Sequence, residues 1–419
     1  MGLNDTPAGE RLAIVFFGRR NAGKSSVVNA VTGQDLAVVS EVRGTTTDPV
    51  RKAMELLPLG PVLIIDTPGI DDDGALGELR VRKTRQVLRQ TDVAVLVVDA
   101  TLGLTAPDEE LLAIFRDQNI PYLLAYNKAD LLGEKPPRDV EPCNGKPRNG
   151  EPRDNEIFPA ARSDALFISA TTGENIDALK KRLATLVPAP EIKLRLIGDL
   201  LHGGDFVVLV TPIDASAPRG RLILPQQQTI RDILESDATA IVVKEFELRD
   251  TLAHLGKKPR FVITDSQVFA KVAADVPPDV PLTSFSILFA RYKGDLRQAV
   301  AGAAATENLR DGDAVLIAEG CTHHRQCDDI GTVKLPRWLK NYTRQDLRFT
   351  FTAGGEFPDD LSPFKLVAHC GGCMLNAREM HYRRRRAAAQ NVPLTNYGVL
   401  IAYLQGILPR CVESLELRV

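Results

Sequence analysis

GRRNAGKS, residues 18–25, decides how the N-terminal half of the chain is read. It follows the apolar run RLAIVFF (11–17), which reads as a buried strand, and it opens a helical pattern from about Ser25 to Val31. The spacing is G-x-x-x-x-G-K-[ST] in the strand-before, helix-after context that a phosphate-binding loop requires. Glycines let backbone N–H groups come close, and the first helical turn adds its unpaired amides and dipole. Gly18, Asn21, Ala22, Gly23, Ser25 and Ser26 are therefore the candidate phosphate cradle. Lys24 is the side chain that reaches the β- and γ-phosphates, and Ser25 is the first ligand for Mg²⁺.

The partners of such a loop follow in order. Asp66-Thr67-Pro68-Gly69 ends the apolar run PVLIID, which places Asp66 near the metal, with Gly69 beside it as a catalytic candidate. VAVLVVD (93–99) is another buried strand. Asn127-Lys128-Ala129-Asp130 closes the run YLLAY, and Ser169-Ala170 follows LFI. In GTPases that share N-K-x-D, the aspartate accepts hydrogen bonds from guanine N1–H and the 2-amino group, a role that falls here to Asp130. Adenine offers neither donor, so a carboxylate left unpaired rejects it. GTP with Mg²⁺ is the expected ligand. The alternation of strands and helices predicts an α/β fold: a P-loop domain with a mainly parallel sheet and right-handed crossovers.

The expected boundaries are 1–188 for the GTP-binding domain, 189–277 for a small α/β domain and 278–419 for a second one. GEKPPRDVEPCNGKPRNGEPRDNE (133–156) has no periodicity and reads as a surface insertion; residues 176–187 read as the closing helix before Pro188-Ala-Pro190. In the middle segment FVVLVTPID, GRLILP, ATAIVVKE and RFVITDS read as strands, and QQQTIRDILESDA and ELRDTLAHLGKK as helices. It has no catalytic motif, and His202 and His254 read as surface residues, so the segment is assigned as a dimerisation module. Beyond Pro281, SFSILFARYKGDLRQAVAGAAA reads as one long amphipathic stretch.

Two later strands end in metal-ligating residues. DAVLIAEGC delivers Cys321 and, just beyond it, His323; FKLVAHCGGC delivers His369, Cys370 and Cys373. If the strands run parallel, both segments meet at the carboxyl edge of one sheet, where sites in α/β folds lie. Thiolates favour a soft centre, zinc or an iron–sulfur cluster. Three cysteines and a histidine fill a structural zinc's four positions; they equally hold three irons of a 4Fe–4S cluster and leave the fourth iron exchangeable. The plain alternative is that such cysteines are core residues. Cys327 keeps an all-cysteine zinc site open, while Cys143 and Cys411 read as spectators and His324 as a hydrogen-bonding residue.

Composition narrows the class. In 419 residues, 44% apolar and 25% charged with a net charge of −2, there is no global pull towards nucleic acid or membrane. The one basic run, Arg383 to Arg386, reads as a solvated helix face, with an acidic partner surface as the alternative. Six cysteines in a chain this long do not describe a secreted disulfide scaffold. With no membrane-length apolar run and no signal-peptide pattern, the expected location is the cytoplasm.

Asn21 and the stretch Gly44-Thr45-Thr46-Thr47-Asp48 resemble the Era/TrmE-like GTPases. That resemblance implies a K⁺ ion beside the phosphates, bound with the help of Asn21. It also implies a switch-I threonine that closes over Mg²⁺ and the γ-phosphate, best matched by Thr46, with Thr45 and Thr47 as alternatives. Where Ras-like enzymes have a water-orienting glutamine this chain has Ile70, which predicts slow intrinsic hydrolysis.

The order of P-loop, C-x-H and H-C-x-x-C, together with DVPLTSFSILFARYKGD, CTHH with DDIG, and LVAHCGGCMLN, resembles the HydF family over essentially the whole chain. These are GTPase scaffold proteins of FeFe-hydrogenase maturation. The resemblance implies three domains, for GTP binding, dimerisation and iron–sulfur cluster binding. It implies a 4Fe–4S cluster on Cys321, Cys370 and Cys373, with His323 or His369 as the labile fourth interaction, and a transient diiron precursor passed to the apo-hydrogenase. Radical-SAM maturases would be partners, and the chain a homodimer. Cys327 departs from the three-cysteine pattern. The competing class is an Era/TrmE-like RNA- or ribosome-associated GTPase with a structural zinc site. Only 5% aromatic residues and a near-neutral charge disfavour it.

Overall fold

The computed structural model describes residues 6–34, 49–69, 84, 86–132, 165–187, 195–213, 222–320 and 329–415. Thr45, Thr46, Thr47, Ile70, Cys143, Cys321, His323, His324 and Cys327 lie outside them. The chain divides into two compact units, Glu10–Glu191 on one side and Met1–Gly9 with Ile192–Val419 on the other.

The first unit is built on β1 (Leu12–Phe17), β2 (Val50–Leu56), β3 (Gly60–Asp66), β4 (Val93–Asp99), β5 (Tyr122–Asn127) and β6 (Ala165–Phe167), in the spatial order β2-β3-β1-β4-β5-β6. Among these strands only β2 runs antiparallel to its neighbour. A parallel sheet is covered on both faces, so its strands are apolar throughout. Val93–Val98 accordingly have no polar member and are all buried. Strand alternation then sorts the side chains. Ile14, Phe16, Val95 and Val97 pack with α1 (Lys24–Thr32) and α3 (Ile176–Leu186). Val15, Phe17, Leu96 and Val98 pack with Phe115 of α2 (Ala106–Asp117) on the other face.

The second unit contains two four-stranded sheets. One comprises β7 (Phe206–Val210), β8 (Thr239–Val243), β9 (Phe261–Thr264) and β10 (Leu282–Ser284), with α4 (Leu224–Leu234), α5 (Leu248–His254) and α6 (Phe269–Asp275) between them. After α7 (Phe285–Lys293) and α8 (Leu296–Ala304) comes the other: β11 (Ala314–Ala318), α9 (Leu335–Thr343), β12 (Arg348–Thr352), β13 (Phe364–His369), α10 (Ala377–Ala389), β14 (Leu394–Asn396), then α11 (Tyr397–Leu404) and α12 (Leu408–Glu413). All pairings are parallel, and the spatial orders β10-β9-β7-β8 and β14-β13-β11-β12 are the same order taken twice. The sequence carries the same repetition: PLTSFSILFARYKGDL (281–296) recurs as PLTNYGVLIAYLQGIL (393–408). The two copies share a single core that joins Val208 and Ile263 to Ile317, Leu366 and the faces of α7 and α11.

Two expectations are corrected here. GRLILP is no strand in its described part, because Leu224 and Pro225 already start α4, with proline in the first turn where its missing N–H costs nothing. The long amphipathic stretch is two helices: a Cβ at Gly294 would lie 2.5 Å from the Ala290 carbonyl, and Asp295 caps the next helix by accepting from the Arg297 and Gln298 amides. Strand β10, beyond residue 277, pairs in parallel with β9.

The repeat makes one close approach. A Cβ on Gly302 of α8 would sit 2.2 Å from the Leu394 carbonyl, while Thr395 Oγ1 donates to the Ala299 carbonyl at 2.8 Å. Gly302→Val must push α8 off β14; the expected cost is about 1–3 kcal/mol, read as a lower urea midpoint with an unchanged slope.

Candidate functional site

At the phosphate loop, each glycine answers a geometric demand. Gly18 has φ 145°, and a Cβ there would lie 2.2 Å from the Val97 carbonyl. Gly23 has φ 85°, with Asn127 Nδ2 at 2.2 Å from the same hypothetical atom. Asn21 adopts φ 61°, a conformation asparagine tolerates better than most residues. Lys24 is buried and its Nζ donates to the Gly18 and Arg19 carbonyls at 2.9 and 2.8 Å. Ser25 Oγ donates to Asp66 Oδ2 at 2.7 Å, which brings the two Mg²⁺ candidates together. Asp66 Oδ1 is buried without a hydrogen-bond partner, an orphaned oxygen that suits a cation. Burial raises the Asp66 pKa, against the pull of Ser25 and Lys24. Gly69 passes close to the loop, a Cβ there falling 3.0 Å from the Arg20 amide nitrogen.

The base-reading segments are tied to the same loop by Asn127. Its Nδ2 donates to the Ala22 carbonyl at 3.0 Å, and its Oδ1 accepts from the Ala170 amide at 3.0 Å. Lys128, at φ 67°, forms an ion pair with Asp99 at 2.5 Å. Ser169 is buried with its Oγ accepting from the Thr172 amide at 3.1 Å, and Asp130 stands exposed at the rim. Ser26, in the first turn of α1, is half-buried.

The second candidate site lies at the carboxyl end of β11 and β13, which pair in parallel with Ala318 opposite His369. The described chain reaches Gly320, one residue before Cys321, and the Gly320 amide donates to Cys370 Sγ at 3.0 Å. The Gly372 amide lies 3.4 Å from the same sulfur, and Gly372 holds φ 62°, the left-handed turn that the Gly-Gly pair allows. Burial pushes the Cys370 thiol up to about 11 and raises that of Cys373, while the amides on Cys370 and Lys293 near Cys373 act the other way. A soft cation reverses the desolvation cost by replacing the proton, so two sulfurs on one glycine turn fit such a group. Among the described residues no three His, Cys, Asp or Glu side chains converge as a metal site.

His369 departs from the expectation of a labile iron ligand. Its Nδ1 lies 2.7 Å from the Cys370 carbonyl and its Nε2 3.0 Å from Arg383 Nη1. Arginine only donates, so Nε2 accepts and Nδ1 carries the proton to the carbonyl. The ring's one nitrogen lone pair, on Nε2, is thus taken by Arg383 and is not left for a metal. Burial, with Arg383, pushes its pKa down to about 3, so the ring is neutral. Arg383 is fully buried, and it also donates to Glu379 Oε1 at 2.8 Å and to the Gly354 carbonyl at 2.7 Å. The basic run is therefore not uniformly a solvated face: Arg383 points into the core, and Arg385 is exposed.

Sequence reasoning missed Arg383, Lys293 and Gly9. Lys293 Nζ donates to the Leu375 carbonyl at 2.8 Å and to that of Cys373 at 3.2 Å. A Cβ on Gly9 would fall 2.6 Å from the Leu375 carbonyl and 2.8 Å from that of Cys373, so the N-terminal segment packs on the same turn. For Arg383 the available signal was its i+4 spacing from Glu379 on one helix; for the other two there was none. Cys411 is buried, in keeping with a core residue.

The fold and the phosphate loop define a P-loop GTPase domain followed by two copies of a smaller parallel α/β frame. A family model described as a 50S ribosome-binding GTPase matches residues 13–128. Models described as the hydrogen maturase F dimerization and tetramerization domains match residues 196–294 and 297–414. The chain belongs to the hydrogen maturase F family, HydF. It is 31% identical over 198 residues to GTPase Der of Kosmotoga olearia, covering 46% of this chain and 42% of that protein. It is 32% identical over 175 residues to tRNA modification GTPase MnmE of Thiobacillus denitrificans, covering 42% and 33%. The chain thus spans less than half the length of these relatives. Era from Aquifex aeolicus bound to GDP.AlF4⁻ aligns over 55% of this chain and 93% of its own at 20% identity, with a TM-score of 0.34.

Two outcomes are expected. Asn127→Ala removes the tie between phosphate loop and base loop, so GTP binding measured with a fluorescent analogue should weaken about tenfold, roughly 1.4 kcal/mol. Arg383→Met leaves Glu379 a buried unpaired carboxylate and should cost about 3–5 kcal/mol in urea unfolding; adding Glu379→Gln should restore a large part.

Proposed function

We propose that this chain is a GTP-hydrolysing scaffold and carrier of metallocluster assembly. It binds a 4Fe–4S cluster through Cys321, Cys370 and Cys373, and delivers a diiron precursor to apo FeFe-hydrogenase. The observation that carries the cluster half is the Gly320 amide on the sulfur of Cys370. One residue further along the chain is Cys321, so chain connectivity supports all three thiols gathering at one sheet edge. An anchor of three thiolates keeps a cargo site attached while a fourth position exchanges. With both nitrogens of His369 engaged, His323 is the remaining histidine of the pair for that position.

In the GTPase half, the loop amides and Lys24 would hold the phosphates, and Ser25 and Asp66 would hold Mg²⁺, which would offset the phosphate charge. Thr46 closes over the γ-phosphate, and Asn21 adds a K⁺ site. Without a glutamine at Ile70, turnover is slow and rises with K⁺ or with a partner. The radical-SAM maturases are the upstream partners. The names of the matched family models support assembly of the chain with itself, as a homodimer or larger. The edge strand β8 supports the same reading, with Val242 at 44% exposure and Phe246 beyond it at 77%. No helix of the described residues is long and apolar enough to cross a membrane, and a cytoplasmic site of action is part of this proposal.

The deciding experiment is iron, zinc and sulfide analysis of anaerobically reconstituted protein, with EPR after reduction, comparing wild type and Cys370→Ser. About four irons and four sulfides per chain, disturbed by the substitution, is the expected result. One zinc without sulfide would replace this reading with that of an RNA- or ribosome-associated GTPase holding a structural zinc.

A further inference from the structure

Lys293 is the last residue of α7 and only 6% exposed. Its Nζ faces three carbonyls of one turn: Leu375 at 2.8 Å, Cys373 at 3.2 Å and Gly372 at 3.5 Å. Three acceptors call for three N–H donors, which the ammonium form has. A buried cation persists where dipoles or anions compensate it. Here the dipoles belong to the turn Cys370-Gly-Gly-Cys373 and its exit, and α7 adds the negative end of its own macrodipole. While its carbonyls face Lys293, the turn's Gly372 amide faces Cys370 Sγ at 3.4 Å.

The duplicated frame supplies an internal control. In the recurrence of PLTSFSILFARYKGDL as PLTNYGVLIAYLQGIL, Lys293 corresponds to Gln405. The register matches the end of β13 to the end of β9, so Cys370–Cys373 correspond to Asp265–Val268, which contain no cysteine. Helix α11 packs on that loop as α7 does on the cysteine turn. The cation stands in the copy of the frame whose loop carries two thiols, and a neutral amide stands in the other. The two positions also differ in burial: Gln405 is exposed, whereas Lys293 is buried against the turn, so only the copy beside two thiols draws a cation inside.

We propose that Lys293 is the positioning residue and charge partner of the Cys370–Cys373 turn. It fixes the turn's carbonyls and offsets the negative charge of the thiolates. The role rests on the cluster reading above. One-electron reduction of the cluster, with dithionite as donor, adds a negative charge beside this ammonium, so Lys293 favours the reduced form.

The test is an EPR-monitored redox titration of full-length, reconstituted wild type, Lys293→Gln and Lys293→Met. The glutamine variant places at 293 the residue that stands at the corresponding position of the other copy. At the wild-type midpoint the reduced-to-oxidised ratio should fall at least tenfold in both variants, about 59 mV for one electron. Midpoints equal to wild type in both would overturn the proposal. Should both take up no iron, Lys293→Arg decides: uptake restored by a second cation supports the proposal, and uptake missing from all three variants overturns it. A wild type that loads zinc without sulfide sinks the cluster reading instead. Lys293 is then tested by zinc release to a chelator, tenfold faster in Lys293→Met if the proposal holds and unchanged if it does not.

Discussion

Parallel strand pairing is the constraint on which both sites depend. A parallel ladder aligns the carboxyl ends of its strands along one edge, and the loops leaving that edge are the segments free to carry chemistry. In the first unit β1, β3 and β5 hand over to the phosphate loop, Asp66 and Asn127. In the second, the pairing of Ala318 with His369 brings Gly320 onto the sulfur of Cys370 across fifty residues of chain. The loops meet because their strands lie side by side, or one strand apart, in a single parallel sheet.

The cysteine turn is backed by buried charge. Arg383, Glu379 and His369 form a chain of hydrogen bonds behind β13, and Lys293 holds the exit of the turn from α7. Charges inside a protein are tolerated when they are paired and hydrogen-bonded, as Glu379 Oε1 is to Arg383, although Glu379 Oε2 is buried without a hydrogen-bond partner. A purely apolar backing would pack as well and would leave the carbonyls of Cys370 and Cys373 without fixed partners. The order of the thiols is thus a polar problem solved beneath an apolar sheet.

The two copies of the small frame separate fold from function. Both have the same strand order, and both end in the same strand-to-helix step at Ser284–Phe285 and Asn396–Tyr397. One presents Asp265–Val268 at its sheet edge, the other Cys370–Cys373. Scaffold and chemistry vary independently, because core packing constrains the strands while the loops answer to solvent and ligand.

The sequence by itself determined the P-loop domain, the Asn127–Asp130 segment at a strand end and the strand end that presents Cys370, because each is a local pattern with its own physics: glycines at forced dihedrals, apolar runs of strand length, donors at fixed spacing. It also held the helical break at Gly294-Asp295 and the repeat of PLTSF as PLTNY, although reading the first as one long amphipathic stretch passed over both. Tertiary structure alone decided that His369 serves Arg383 and the Cys370 carbonyl, that Arg383 of a basic run is buried, and that Lys293 and Gly9 meet the cysteine turn. Those outcomes depend on which surfaces of distant segments face one another. A histidine beside two cysteines reads the same in sequence whether its lone pair points to a metal or to an arginine fourteen residues on; only the register of β13 against its neighbours sets the direction.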